Sequence, residues 1–374
     1  MNRGKMIKKI STFDDWIDLF AQWRNDIGFD SRLIGDYKFE TKFVEVDSPE
    51  IEFGDFAGQR KWETVLQIPN QQVRDALLTL IVYQGDTEFA SVEQQRHLVQ
   101  TAPSDEDLRS LLRVMTEEMR HGYQMSYLLV NYFGDSGKLE ARKLLERRAF
   151  KQNRLLGSFN EEVKNWLDFF VYTEFIDRDG KFQLQMLSRC GFAPLGRSTK
   201  AMLKEESYHL GTGHTGLRRI LMAGKIPVEI IQKYFNKWIP TAYDLFGTDH
   251  SSSAHWAYVS GLKARYNEGE TKEPADKNNL NEAARALFHK EISWLVDNLN
   301  KLIPEDKPKL YVPDMKFNRR IGGYAGKTYT VKGEPLNKAD YTLYLQKTLP
   351  SPEDELKLQE IFKEKDWITP MDRK

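Results

Sequence analysis

The chain has 374 residues, and 55 Lys and Arg balance 55 Asp and Glu to a formal net charge of zero. That length suits one large domain with extensions or two domains, and the balanced charge argues against non-specific nucleic-acid binding, which needs a basic face, while leaving room for a local basic patch for a phosphate. A single cysteine, Cys190, excludes an intrachain disulfide and a thiolate metal site.

The basic N-terminus, MNRGKMIKKISTFDDW, lacks the apolar run of a signal peptide. No stretch approaches the ~18 consecutive apolar residues of a membrane span. The expectation is a soluble, cytoplasmic protein with no membrane and no nucleic-acid partner. Residues 1–68 mix Gly, Pro and acidic residues between aromatics and read as an N-terminal flanking segment. From about 70 to 222 the apolar period is helical. Pro69-Asn70 opens a first helix that runs to about 100. Ser104, followed by three acidic residues, caps a second that runs to Tyr132, with Gly134 as its stop. A shorter helix covers about 137–150. Ser158 and Glu161 fit a capping box for a third long helix to about 190, which Gly191 and Pro194 break. A fourth runs from about 198 to 222. Helices at 227–238 and 280–302 follow, with a further helical stretch at 252–260. Residues 308–335 are Gly-rich and carry β-branched and aromatic residues, which suits a small hairpin. The expected architecture is all-α: a ferritin-like four-helix bundle with additional helices over 69–303 and a small irregular or β C-terminal extension over 304–374 packed on it.

Two Glu-x-x-His motifs stand on the second and fourth helices, Glu118–His121 and Glu206–His209. Positions i and i+3 share a helix face, so each motif offers a carboxylate and an imidazole to one side of a metal pair. Glu88 lies 30 residues before Glu118, and Asp177 lies 29 before Glu206. With reversals near residues 102 and 192, the members of each pair lie roughly 21–24 Å from their turn at ~1.5 Å per residue, so they meet at one level of an antiparallel pair. This is the ligand layout of a di-iron carboxylate bundle. The carboxylates also sit in apolar stripes, such as Val73, Leu77, Leu80, Ile81 and Gln84 leading to Glu88. Four buried carboxylates need counter-charge, and two divalent cations supply it. Oxygen-rich ligation with two imidazoles suits iron or manganese. Gln84, one turn before Glu88, is either a group that orients a ligand or bound oxygen, or an ordinary polar residue at the bundle edge. Gly122, Gly211, Gly213 and Gly216 either leave room for oxygen and substrate or let helices pack closely. His97 and His214 fall outside the ligand level.

The stretches EEMRHGYQM (117–125), KEESYHLGTGHTGL (204–217), IPVEIIQKYFNKW (226–238), DLFGTDHSSSAHWAYVSGLKARY (244–266) and NRRIGGYAGKTYTV (318–331) resemble the aryl-CoA epoxidase family of di-iron oxygenases, which act on benzoyl-CoA and phenylacetyl-CoA. The resemblance covers about 80–335 and implies Glu88, Glu118, His121, Asp177, Glu206 and His209 as ligands of two oxygen-bridged iron ions, Fe2+ or Fe3+. It implies a monooxygenase that epoxidises the ring of an aryl-CoA thioester, most directly benzoyl-CoA to 2,3-epoxybenzoyl-CoA. O2 is its co-substrate, and a separate NADPH-dependent flavin/iron–sulfur reductase is its partner. For the CoA phosphates, Lys204, Arg218, Arg219, Arg319, Arg320 and Lys332 are candidates. Two other classes share such a site: a di-iron hydroxylase, desaturase or N-oxygenase with another substrate, and an iron-binding bundle of the ferritin kind.

Overall fold

The computed structural model describes residues 9–249, 252–270 and 274–371, without the side chains of 252–254. Among these, eleven α-helices form: α1 Phe13–Asp26, α2 Gln71–Gln95, α3 Asp105–Tyr132, α4 Gly134–Glu146, α5 Trp166–Leu187, α6 Ala193–Ala223, α7 Val228–Leu245, α8 Ser252–Val259, α9 Leu280–Asn300, α10 Lys338–Thr348 and α11 Pro352–Ile361. The fold is all-α, as the periodicity predicts.

Local chemistry sets the ends of the four long helices. The Asn70 side chain accepts from Val73 N at the start of α2, and Ser104 accepts from Asp107 N at the start of α3; each such cap is worth about 1 kcal/mol. Asp105, Glu106 and Asp107 then place negative charge on the positive end of α3. α6 ends at Gly224, whose φ of 65° lies in the left-handed region. The antiparallel pair α2–α3 packs on the antiparallel pair α5–α6, with α1 and α4 flanking the first pair and α7 covering α5. Aromatics fill the space between layers: Phe20 and Trp23 meet Phe89, and Tyr172 meets the edge of Trp238 at 5.0 Å between centroids. Cys190 lies fully buried in the α5–α6 turn, and burial pushes its thiol up to about 12.

Three expectations change. The third long helix starts at Trp166, capped by Asn165 accepting from Asp168 N, while Ser158 sits in a separate 3-10 turn, Gly157–Asn160. The capping-box spelling is present, but the backbone of the intervening segment is held by other elements. The Glu161 carbonyl accepts from Gln94, and the Glu162 carbonyl accepts from Lys237. Pro194 does not break a helix; it stands in the first turn of α6, where its missing N–H costs nothing. The hairpin expected at 308–335 reduces to one bridge, Tyr329 to Pro335. Pro335 has no N–H to donate, so a ladder cannot grow there. Among the described residues, no helix is long and apolar enough to cross a membrane.

Candidate metal centre

The four long helices bring Glu88, Glu118, His121, Asp177, Glu206 and His209 into one buried cluster. Donor atoms of Glu88, Glu118 and His121 lie within 4.8 Å of one another, and so do those of Glu118, Asp177 and His209. His121 Nδ1 stands 3.4 Å from Glu88, 3.6 Å from Glu206 and 4.0 Å from Glu118. His209 Nδ1 stands 3.4 Å from both Glu118 and Glu206. Glu118 and Glu206 therefore face both imidazoles, while Glu88 and Asp177 flank one side each.

The far nitrogens have fixed partners that the motif reading missed. His121 Nε2 donates to Glu205 at 2.8 Å, and His209 Nε2 donates to Glu117 at 3.1 Å. A carboxylate only accepts, so each ring carries its hydrogen on Nε2 and presents Nδ1 to the cluster. Each motif thus reads Glu-Glu-x-x-His, and its first Glu holds the histidine of the other motif. The doubled Glu in both motifs is the sequence signal for this. The two outer carboxylates are held in turn: Arg120, fully buried, and Lys42 pair with Glu205, and Arg113 pairs with Glu117 at 2.9 Å. Burial would raise both carboxylates, but His121 and then Arg120 hold Glu205, and His209 and then Arg113 hold Glu117, below the ordinary carboxylate range.

Three atoms test whether a metal pair fits. His121 Nδ1, His209 Nδ1 and Asp177 Oδ2 are buried with no hydrogen-bond partner. Orphaned buried acceptors cost about 1–3 kcal/mol each, and all three belong to the cluster. Burial and the neighbouring Glu88 push Glu118 well above its ordinary range, and burial does the same to Asp177. Burial alone would lower His209, but Glu206, Glu117 and Glu118 outweigh it and raise it well above the usual value. Without cations, protons must offset the charge of these carboxylates. Two imidazole nitrogens and four carboxylates, with their second nitrogens tied to carboxylates, match the donor set of a di-iron or di-manganese centre.

A model of the family described as "Phenylacetic acid catabolic protein" matches residues 64–314. Benzoyl-CoA oxygenase component B of Aromatoleum evansii is 35% identical over 429 aligned residues, spanning 95% of this chain and 89% of the relative. The chain belongs to the phenylacetic acid catabolic protein family. It is an oxygenase of that family, and the resemblance carried by the Glu-Glu-x-x-His stretches is thereby borne out.

A cavity of about 40 Å³ touches Glu88, Glu118, Asp177 and Glu206, and a second of about 260 Å³ lies beside it. Gln84, Thr87, Phe159, Ile176 and Gly180 line both. Gln84 Nε2 also donates to Glu88 at 2.5 Å, so this residue touches a cluster carboxylate and lines both cavities. The glycines divide by place. A Cβ on Gly122 would meet the Phe89 ring at 2.6 Å, on Gly213 the Glu174 backbone at 2.6 Å, and on Gly216 it would run into the Phe170 ring, so these three serve close packing. Gly211 is exposed at the surface. Gly180, by contrast, has open space where its Cβ would be. Of the basic candidates for CoA phosphates, Arg219 makes a two-pronged pair with buried Asp107, and Arg319 pairs with Asp244 at 2.5 Å; both are committed inside the protein. Arg320, more exposed, pairs with Glu161. His214 pairs with Glu174 at 3.2 Å, away from the cluster donors.

Proposed function

We propose that Glu88, Glu118, His121, Asp177, Glu206 and His209 hold two iron ions and that the chain epoxidises the ring of an aryl-CoA thioester, with benzoyl-CoA as the first substrate to test. The observation that carries this reading is the pair of orphaned Nδ1 atoms facing four buried carboxylates. A bound iron pair supplies the reductive activation of O2. The residues of the chain do the rest. Glu117 and Glu205 fix both imidazoles in the tautomer that leaves Nδ1 free to bind. Glu88 and Asp177 present carboxylates on the side where the cavities open, and Gln84 orients Glu88 by its hydrogen bond. The apolar walls, among them Leu80, Phe159, Ile176 and Met186, exclude water and hold an uncharged ring against the cluster. The name of the Aromatoleum evansii relative supports benzoyl-CoA, and its designation as a component supports a separate electron-supplying partner. The absence of a Gly-rich phosphate loop in a strand–turn–helix context, among the described residues, is consistent with electrons coming from another protein, a flavin/iron–sulfur reductase that draws on NADPH.

The test is iron quantitation followed by reaction of the loaded protein with benzoyl-CoA, O2 and a surrogate reductase. The expected result is about two iron ions per chain and an oxygen-dependent product one oxygen atom heavier than the substrate. Well under one iron per chain defeats the metal assignment. Full iron without any oxygenated aryl-CoA defeats the substrate assignment and leaves the metal centre standing.

A further inference from the structure

The 260 Å³ cavity is apolar along most of its wall but is also lined by polar side chains that the metal centre does not use, Asp179, Gln183, Lys263 and Asn281. Lys263 reaches into that cavity, and its Nζ donates to Gln183 Oε1 at 2.6 Å. The Gln183 amide turns its other end to Asp179, donating at 3.0 Å. The ammonium therefore rests against a neutral amide, with the carboxylate one group further away. Burial holds Lys263 below the usual lysine range. Lys263 is half-buried, and an ammonium on a largely apolar wall whose hydrogen-bond partner is a neutral amide gains less than one paired directly with a carboxylate.

The backbone under Lys263 is fixed. The Leu262 and Lys263 amides both donate to the Ala257 carbonyl, and Ala264 N donates to the Met186 carbonyl at the end of α5. Gly261, at φ 68°, lets the chain turn against Ile51 and accept from Gly191 N at 2.7 Å. α5 measures the distance to the metal ligands: Asp177, Gly180 and Gln183 follow one another at three-residue steps, so Gln183 stands ~9 Å along the axis from Asp177. Between them Gly180 leaves open space at the junction of the two cavities. An axial interval of ~9 Å accommodates one aromatic ring between the level of Asp177 and the level of Gln183, the residue to which the ammonium is bonded.

We infer that Lys263, held by Gln183, donates a hydrogen bond to the thioester carbonyl of the acyl-CoA and so selects an acyl thioester over a simple arene while setting how deep the ring sits. Gln183 accepts one of the three N–H groups of the ammonium, and a carbonyl oxygen is the acceptor an uncharged acyl group brings. Lys263 is a positioning and specificity residue rather than a catalytic one. The inference rests on the aryl-thioester reading above.

The test is direct binding by calorimetry to the full-length, iron-loaded chain without reductant, which separates it from turnover. Two ligands are compared: benzoyl-CoA and its thioether analogue S-benzyl-CoA, which lacks the thioester carbonyl but keeps every amide of the CoA arm. Lys263→Met is expected to weaken benzoyl-CoA by about 10- to 100-fold and to leave S-benzyl-CoA unchanged, while Lys263→Arg recovers part of the loss. Equal binding of benzoyl-CoA by Lys263→Met and the unaltered chain overturns the inference. So does an equal loss for both ligands, which would put the contact on the CoA arm. If the unaltered chain binds neither ligand, the aryl-thioester reading itself falls and takes the inference with it. If Lys263→Met loses its helical circular dichroism, Gln183→Leu, which removes the acceptor that aims the ammonium, replaces it: a loss confined to benzoyl-CoA supports the inference, and no selective loss overturns it.

Discussion

On the side of α3 and α6, each imidazole of the cluster is fastened by a carboxylate from the opposite motif, and each of those carboxylates is fastened by an arginine. On the side of α2 and α5, Glu88 has one amide donor, Gln84, and Asp177 keeps an oxygen with no partner at all. All four cluster carboxylates line the smaller cavity, whereas the histidines line neither, and of the residues shared by both cavities every α-helical one stands on α2 or α5. The difference separates two tasks that compete when one wall has both. A charge network rigid enough to place ligands leaves no space for an organic molecule, and a wall open enough to admit one cannot carry a dense hydrogen-bond network.

Substitutions on the two sides should therefore fail in different ways. The largest effect is expected from His209→Ala, which removes a proposed ligand outright: bound iron should drop well below one per chain by metal analysis, and unchanged content would break the assignment. Next comes Glu205→Gln on the fastened side. It leaves the ligand in place but weakens its anchor, and iron affinity in a chelator competition should fall by about 10- to 100-fold, with retention of affinity arguing that Arg120 and Lys42 alone hold that wall. On the open side, Gly180→Leu should leave iron content intact and reduce benzoyl-CoA binding by more than about tenfold, because its side chain fills the junction of the cavities; loss of iron in this variant would erase the contrast between the sides. Gln84→Leu deprives Glu88 of its donor and should change iron affinity by less than about tenfold in the same competition. The smallest effect is a gain: Gly180→Ala, in helical backbone with space around it, should raise stability by about 0.4–1 kcal/mol in denaturant melts.

Much of the bundle was legible because its information is local. Asn70 and Ser104 announce their helices by residue type, and the equal depths of Glu88 with Glu118 and of Asp177 with Glu206 follow from counting along helices of fixed rise. The start of α5 was not, because Ser158 and Glu161 spell a cap whose backbone is claimed by Gln94 and Lys237 from elsewhere in the chain. The roles of the glycines were open in the sequence, since only the distance from each to the neighbouring helix tells packing from free space. Lys263 carried no signal: its partner lies 80 residues away, and a lone lysine in a loop reads as solvated. Glu117 and Glu205 were within reach, written as a doubled glutamate in both motifs, but their function depends on which helices face each other.

Cys190 has one practical consequence. The only thiol of the chain is sealed in the α5–α6 turn and pushed up to about 12, so maleimides and disulfide reagents have nothing to react with while the turn stays closed. A cysteine introduced at an exposed position would therefore label alone, and slow labelling of the unaltered chain would time the opening of the hairpin that carries Asp177 and Glu206. Comparing that clock with and without iron would measure how firmly the proposed metal pair clamps this half of the bundle.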